Sequence, residues 1–124
     1  MSEGDALRLP DYLGHILEAI ERIGSYSAGL TESAFLESKL VQDAVVRNLE
    51  VIGEAARNIE RRYPEFVQAH TEVPWISAYE MRNALAHGYF RIDLAIVWRT
   101  IHANLPEMGR AVHELKRTLD GEAS

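Results

Sequence analysis

The chain has 124 residues, 47% of them hydrophobic, and no cysteine. One modest core is the most it can bury, and a disulfide scaffold, a thiolate metal site and a cysteine nucleophile are excluded. The formal net charge of -6 argues against a general nucleic-acid coat, which normally carries a strong positive excess.

The acidic start, Met1 to Asp5, is read as neither a signal peptide nor an anchor. No pure apolar run is long enough for a membrane span, so no membrane contact is expected and the cytoplasm is the expected location.

The first helix is predicted from about Pro10 to Tyr26, because Leu13, Ile16, Leu17, Ile20 and Ile23 recur at helical spacing. Pro10 suits a first turn, where its missing donor is not needed. Gly24 weakens the end of this helix, and Gly29 is the expected stop. Thr31 to Phe35 reads as a second start with Thr31 as cap. A long helix is predicted from about Glu37 to Tyr63. Leu40, Ala44, Leu49, Ile52, Ala56 and Ile59 are its expected buried seam, widened by Val41, Val45 and Val46. Gly53, Ala55 and Ala56 are small, which suits close approach of another helix.

Pro64 closes the long helix, because the residue before a proline avoids helical geometry. Residues 64–74 read as a loop or a short irregular helix. Pro74-Trp75 opens the next helix, with Trp75, Ala78, Tyr79, Arg82 and Leu85 at helical spacing. Gly88 is expected to end or bend it. From about Ile92, the residues Leu94, Val97, Trp98, Ile101 and Leu105 trace another helical face. Pro106 breaks that run, with Asn104 near enough to cap the next helix. Met108, Ala111, Val112, Leu115 and Leu119 complete this terminal helix, and Asp120 to Ser124 are expected to fray. No alternating strand pattern, repeat or low-complexity stretch is present. The predicted class is all-α, an antiparallel bundle of four or five helices.

The charge is uneven. Residues 1–44 hold eight acids and three bases, whereas residues 75–119 hold six Lys or Arg against four acids, with His87, His102 and His113. That favours discrete contacts to a few phosphates over a broad basic surface. The densest chemistry lies in Arg82-Asn83-Ala84-Leu85-Ala86-His87-Gly88-Tyr89. Histidine accepts and donates protons near neutrality. Arg82 presents a fork of donors that fits phosphate oxygens. Asn83 is four residues before His87, on the same helical face, where its amide can orient the imidazole or a ligand. Arg82 is five residues before His87, roughly 140° away around a helix. The residues alone leave other readings open: His87 as a capping or solvated group, Arg82 paired with Glu80, Glu54 or Glu50, and Tyr89-Phe90 as core.

On the long helix, Asp43 and Arg47 are spaced for an intrahelical pair. A structural network is one reading of Asp43, Arg47, Asn48 and Glu54. The other is a wall of a binding cleft, with Arg47 touching the ligand and Glu54 orienting Arg82. His15, His70, His102 and His113 read as surface or interhelix groups, and Trp75 and Trp98 as core or interface anchors. Arg57, Arg61 and Arg62 form a basic cluster. It reads either as a solvated helix end complementing the helix dipole or as part of a ligand or partner surface.

The motif and its surroundings resemble the HepT-like branch of the HEPN superfamily, minimal ribonuclease toxins of bacteria and archaea. The family's Arg-x4-His-x-Tyr motif stands intact at Arg82, His87 and Tyr89. Tyr12 to Ile20 is similar to the family's first helix and Gln42 to Ala55 to its long helix. Pro74-Trp75, Met81-Arg82-Asn83 and Val97 to Ile101 fit as well. The likeness runs from about residue 8 to 119 and implies a single HEPN-like domain over 1–124. It further implies a metal-independent endoribonuclease toxin with no cofactor, acting as a homodimer whose two motifs line a shared cleft. His87 would move the proton of the RNA 2′-hydroxyl, Arg82 would stabilise charge on the scissile phosphate, and Asn83 would hold the imidazole or the phosphate. The products would be a 2′,3′-cyclic phosphate and a 5′-hydroxyl, which excludes DNA as substrate. The implied partner is an antitoxin of minimal nucleotidyltransferase fold, which in some family pairs adds AMP to the motif tyrosine, here Tyr89. The alternative is a non-catalytic helical module that binds a nucleotide or that partner. With Arg82 placed awkwardly relative to His87, the working site is expected to need a bend at Gly88 and a second subunit.

Overall fold

The structure, a computed structural model, describes residues 8–87 and 93–123, with the backbone alone at 86, 87, 122 and 123. Among these residues every regular element is a helix: α1 (Leu9–Ser27), α2 (Glu32–Glu37), α3 (Lys39–Arg62), α4 (Pro64–Ala69), α5 (Trp75–His87), α6 (Leu94–Ala103) and α7 (Leu105–Ala123). The all-α class is borne out. The described helices number seven rather than four or five, because α2 and α4, six residues each, are regular helices. No described helix is long and apolar enough to cross a membrane.

The helix boundaries follow local chemistry. The Asp11 carboxylate accepts a hydrogen bond from the Arg8 N–H at 3.1 Å and sits in the first turn of α1, where the helix dipole favours an anion. Gly24 is tolerated inside α1, which runs on to Ser27. Gly29 then takes φ +77, the left-handed conformation that a side chain resists, and the chain turns there. Thr31 caps α2 as expected, its hydroxyl accepting from the Ala34 N–H at 3.1 Å. The long helix starts at Lys39 rather than Glu37, because Ser38 takes the capping position and accepts from the Val41 N–H at 3.2 Å. Asn104 separates α6 from α7, and Pro106 falls in the first turn of α7. The expected fraying after Asp120 is not seen: α7 continues to Ala123, with Lys116 and Asp120 paired at 2.9 Å one turn apart.

Asp93 caps α6. One carboxylate oxygen accepts from the N–H groups of both Ala95 (3.1 Å) and Ile96 (3.2 Å). Asp93→Ala is expected to lower stability by about 1 kcal/mol, read as a lower urea midpoint at unchanged m-value. An unchanged midpoint would mean that the cap contributes nothing in solution.

Helix α3 is the spine. It packs chiefly against α5 and α1, while α7 covers another side of α1 and α6 joins α2 to α7. Leu13, Ile16 and Ile23 of α1 meet Val45, Leu49, Ile52, Ala56 and Ile59 of α3 in one core, with Phe35, Val97, Met108 and Val112. Phe35 is wholly buried and lies 5.3 Å from the Trp98 ring. The buried Gln42 amide donates to the Phe35 carbonyl at 2.9 Å, which fastens α2 onto α3 without leaving a polar group unpaired.

Leu40 does not join the seam: it is 81% exposed. Nine residues separate it from the buried Leu49, which is about two and a half turns and places it on the opposite side of α3. The seam begins later, at Gln42 and Val45.

Candidate active site

The site is set by how closely α5 lies on α3. Gly53 is buried, and a Cβ there would fall 2.2 Å from the Arg82 Cβ and 2.6 Å from the Ala78 carbonyl oxygen. Only a residue without a side chain allows this crossing. The small-residue patch of α3 is therefore the contact expected from sequence, and what fills it is the root of Arg82. The backbone packing of two helices thus holds the base of this side chain, and the side chain as a whole stays 35% exposed.

The guanidinium has two polar neighbours. Arg82 Nη1 donates to Asn83 Oδ1 at 3.1 Å, and Nη2 lies 4.0 Å from Glu54 Oε2, the outer limit of an ion pair. The Glu54 side chain is 63% exposed, and an exposed pair at such range contributes at most about 1 kcal/mol. Arg82 is held in place but not neutralised, so an incoming phosphate has little to displace. Asn83 Oδ1 is committed to Arg82, which leaves its amide hydrogens for a ligand.

Of the three acids in question for Arg82, Glu54 is the one within range, while Glu50 pairs with Arg47 at 3.8 Å. The expected Asp43–Arg47 pair is not formed. Asp43 has a base one turn away on either side and takes Lys39 at 3.6 Å, leaving Arg47 to Glu50.

Helix α5 runs through His87, so positions 83 and 87 stand one turn apart on one face, as their spacing requires. The His87 side chain, the expected bend at Gly88, and Tyr89, Phe90 and Ile92 lie outside the described residues.

The opening of α5 is anchored by Trp75. This residue is buried, and its indole N–H donates to the His70 carbonyl at 2.9 Å. The His70 ring lies 4.5 Å from that of Phe66 and 3.4 Å from the Glu72 carboxylate. His15, His102 and His113 are exposed, and the His102 ring lies 4.0 Å from that of Trp98. Among the described residues no three His, Asp or Glu side chains converge as metal ligands would. Glu114, whose carboxyl is held below its ordinary pKa first by the hydrogen bond from Arg117 and then by its charge, belongs to the exposed side of α7.

One feature of this edge is not visible as a motif. The Arg57 guanidinium of α3 lies over the ring of Tyr79 of α5, 5.2 Å from its centroid. Sequence reasoning places Tyr79 in the helical stripe and Arg57 in a basic cluster without joining them. The available signal is weak: Arg57 is four residues after Gly53, and Tyr79 is three before Arg82.

Among known proteins, the family model described as Ribonuclease HepT-like matches residues 16–115 of this chain. The chain is 38% identical over 109 residues to the "Gamma-glutamylcyclotransferase and putative RNase" of Methanocaldococcus jannaschii. That match covers 88% of this chain and 48% of the relative, so the chain spans about half of that protein's length. It is 37% identical to the "Probable ribonuclease HepT" of Thermococcus cleftensis, with 86% of this chain and 94% of the relative covered. It is 36% identical to a "Putative RNase" of Caldanaerobacter subterraneus, with 84% and 90% covered. No solved structure matches the chain.

Proposed function

The chain belongs to the ribonuclease HepT-like family of the HEPN ribonuclease toxins, and from that membership we propose that it is the endoribonuclease toxin of a toxin–antitoxin pair. Its reaction is cleavage of RNA by the neighbouring ribose 2′-hydroxyl, with no metal or cofactor. The observation that carries the reading is the placement of Arg82. Its root is fixed at the Gly53 crossing, its head is oriented by Asn83, and it stays open to solvent on the helix that bears His87.

In this mechanism His87 takes the proton of the 2′-hydroxyl as the oxygen attacks the adjacent phosphorus. Arg82 offers its donors to the non-bridging oxygens, where negative charge accumulates. The bond to the 5′-oxygen breaks, that oxygen takes up the proton that His87 accepted from the 2′-hydroxyl, and the 2′,3′-cyclic phosphate remains. Arg82 and His87 are roughly 140° apart around one helix. The proposed working unit is therefore a homodimer in which each motif completes the other. Arg47 and Glu54 belong to the wall of the same cleft, Arg47 as an RNA contact and Glu54 as the group that steers Arg82. The proposed partner is an antitoxin of nucleotidyltransferase fold, with Tyr89 as the acceptor of AMP. A nucleotidyl phosphate there would occupy the phosphate site and repel RNA.

The test is product chemistry on a defined single-stranded oligoribonucleotide. The expected products end in a 2′,3′-cyclic phosphate and a 5′-hydroxyl, in EDTA as in its absence. A single 2′-deoxy substitution at the cleaved position is expected to abolish the cut. Cleavage that persists there, or a 5′-phosphate product, would overturn the mechanism.

A further inference from the structure

We propose that Arg57, whose guanidinium lies over the ring of Tyr79, is a stacking platform for the RNA base that neighbours the phosphate bound by Arg82. The inference rests on the ribonuclease reading and adds a binding subsite to it.

Positions 53, 57 and 61 succeed one another along α3. Arg82 is rooted against Gly53, Arg57 is four residues further along, and Arg61 four beyond that. Four residues are about 6 Å along a helix, close to one turn, so the roots of Arg82, Arg57 and Arg61 follow one another by single turns. A chain of phosphates at regular intervals matches such a series. A compact anion would use only one of them.

Arg57 differs from Arg61 in what lies beneath it. Its guanidinium is 5.2 Å from the Tyr79 centroid, a cation–π arrangement that orients the planar group. Tyr79 is half-buried between the helices, and Arg57 is exposed. The ring thus supports one side of the guanidinium from the protein interior, and the residue presents itself to solvent on the other. An arginine plane held in this way stacks a nucleobase without first losing its own rotational freedom. Glu54 and Glu60 stand on the same stretch of α3, which keeps the edge from attracting polyanions indiscriminately. A site with balanced charge needs a contact of another kind to hold RNA, and stacking supplies one that tolerates any base.

The test joins binding to turnover. Anisotropy is measured with an uncleavable 2′-O-methyl oligoribonucleotide, and steady-state cleavage with its all-ribose counterpart. Arg57→Ala and Arg57→Lys are both expected to raise Kd and KM about tenfold, the equivalent of ~1.4 kcal/mol, with kcat within about twofold. Tyr79→Phe keeps the ring and is expected to match the wild type, whereas Tyr79→Leu is expected to behave like Arg57→Ala. Wild-type affinity in Arg57→Lys would reduce the contact to simple charge and overturn the platform. So would wild-type affinity in Arg57→Ala, or failure of the unmodified protein to bind the oligonucleotide. Variants that lose only the nucleotidyltransferase-fold partner would assign the surface to a protein instead. A wild type that binds through Arg57 yet never cuts would leave the platform standing and overturn the proposed activity.

Discussion

His87→Ala is expected to slow RNA cleavage by about 10²–10⁴-fold, the usual contribution of a positioned general acid or base. Arg82→Ala is expected to cost about 10²–10³-fold, because one donor aimed at a developing oxyanion contributes about that much. The two losses should not add: when groups act as one unit, removing the second changes little after the first. The Arg82 side chain is 35% exposed and its root is packed, so Arg82→Ala is expected to unfold within a few degrees of the wild type. A variant that cleaves normally would remove that residue from the mechanism.

Mixing the two dead variants tests the shared site. Refolded together, half of the dimers would be mixed, and each mixed dimer would hold one site with both groups and one with neither. About a quarter of wild-type activity is then expected. No recovery would place Arg82 and His87 in the same protomer's site, and the bend at Gly88 would have to bring them together.

Gly53→Ala is expected to be the most damaging small substitution in the described part of the chain. Replacing a helical glycine by alanine ordinarily stabilises by about 1 kcal/mol. Here the new Cβ would meet the Arg82 Cβ at 2.2 Å and the Ala78 carbonyl oxygen at 2.6 Å. Neither atom can rotate away, since one belongs to the main chain and the other is fixed to it. Helix α5 must therefore move off α3. The expected loss is about 3 kcal/mol net, at the upper end for overpacking, which corresponds to a fall in Tm of about 10 °C. Activity should fall further than stability at temperatures where the variant is still folded, because a shift of about 1 Å in a charge-stabilising group costs on the order of 10²-fold. Gly24→Ala is the control: it lies in α1 with nothing within 4 Å of the new atom, and should stabilise slightly. If Gly53→Ala were equally harmless, the close crossing would not exist in solution.

The sequence by itself determined the long helices and several of their stops. Gly29, Pro64 and Pro106 act on the backbone at their own positions, and Thr31 bonds a donor three residues away. Such effects need no distant partner. The intact Arg82, His87 and Tyr89 spacing is legible for the same reason, since it is a one-dimensional pattern, and it points to the family before any contact is known. Tertiary structure decided what depends on where two helices meet. Leu40 has the residue type of a core position, yet its angle around α3 points it to water. Asn83 precedes His87 by one turn in the sequence pattern, but only the packed structure shows that its oxygen accepts from Arg82. Nothing in the order of residues says that the root of Arg82 fills the gap left by Gly53, or that Arg57 covers Tyr79. Helical periodicity specifies which face a residue occupies on its own helix. The distance and crossing of a second helix, which set every contact of the site, emerge only from packing the whole core.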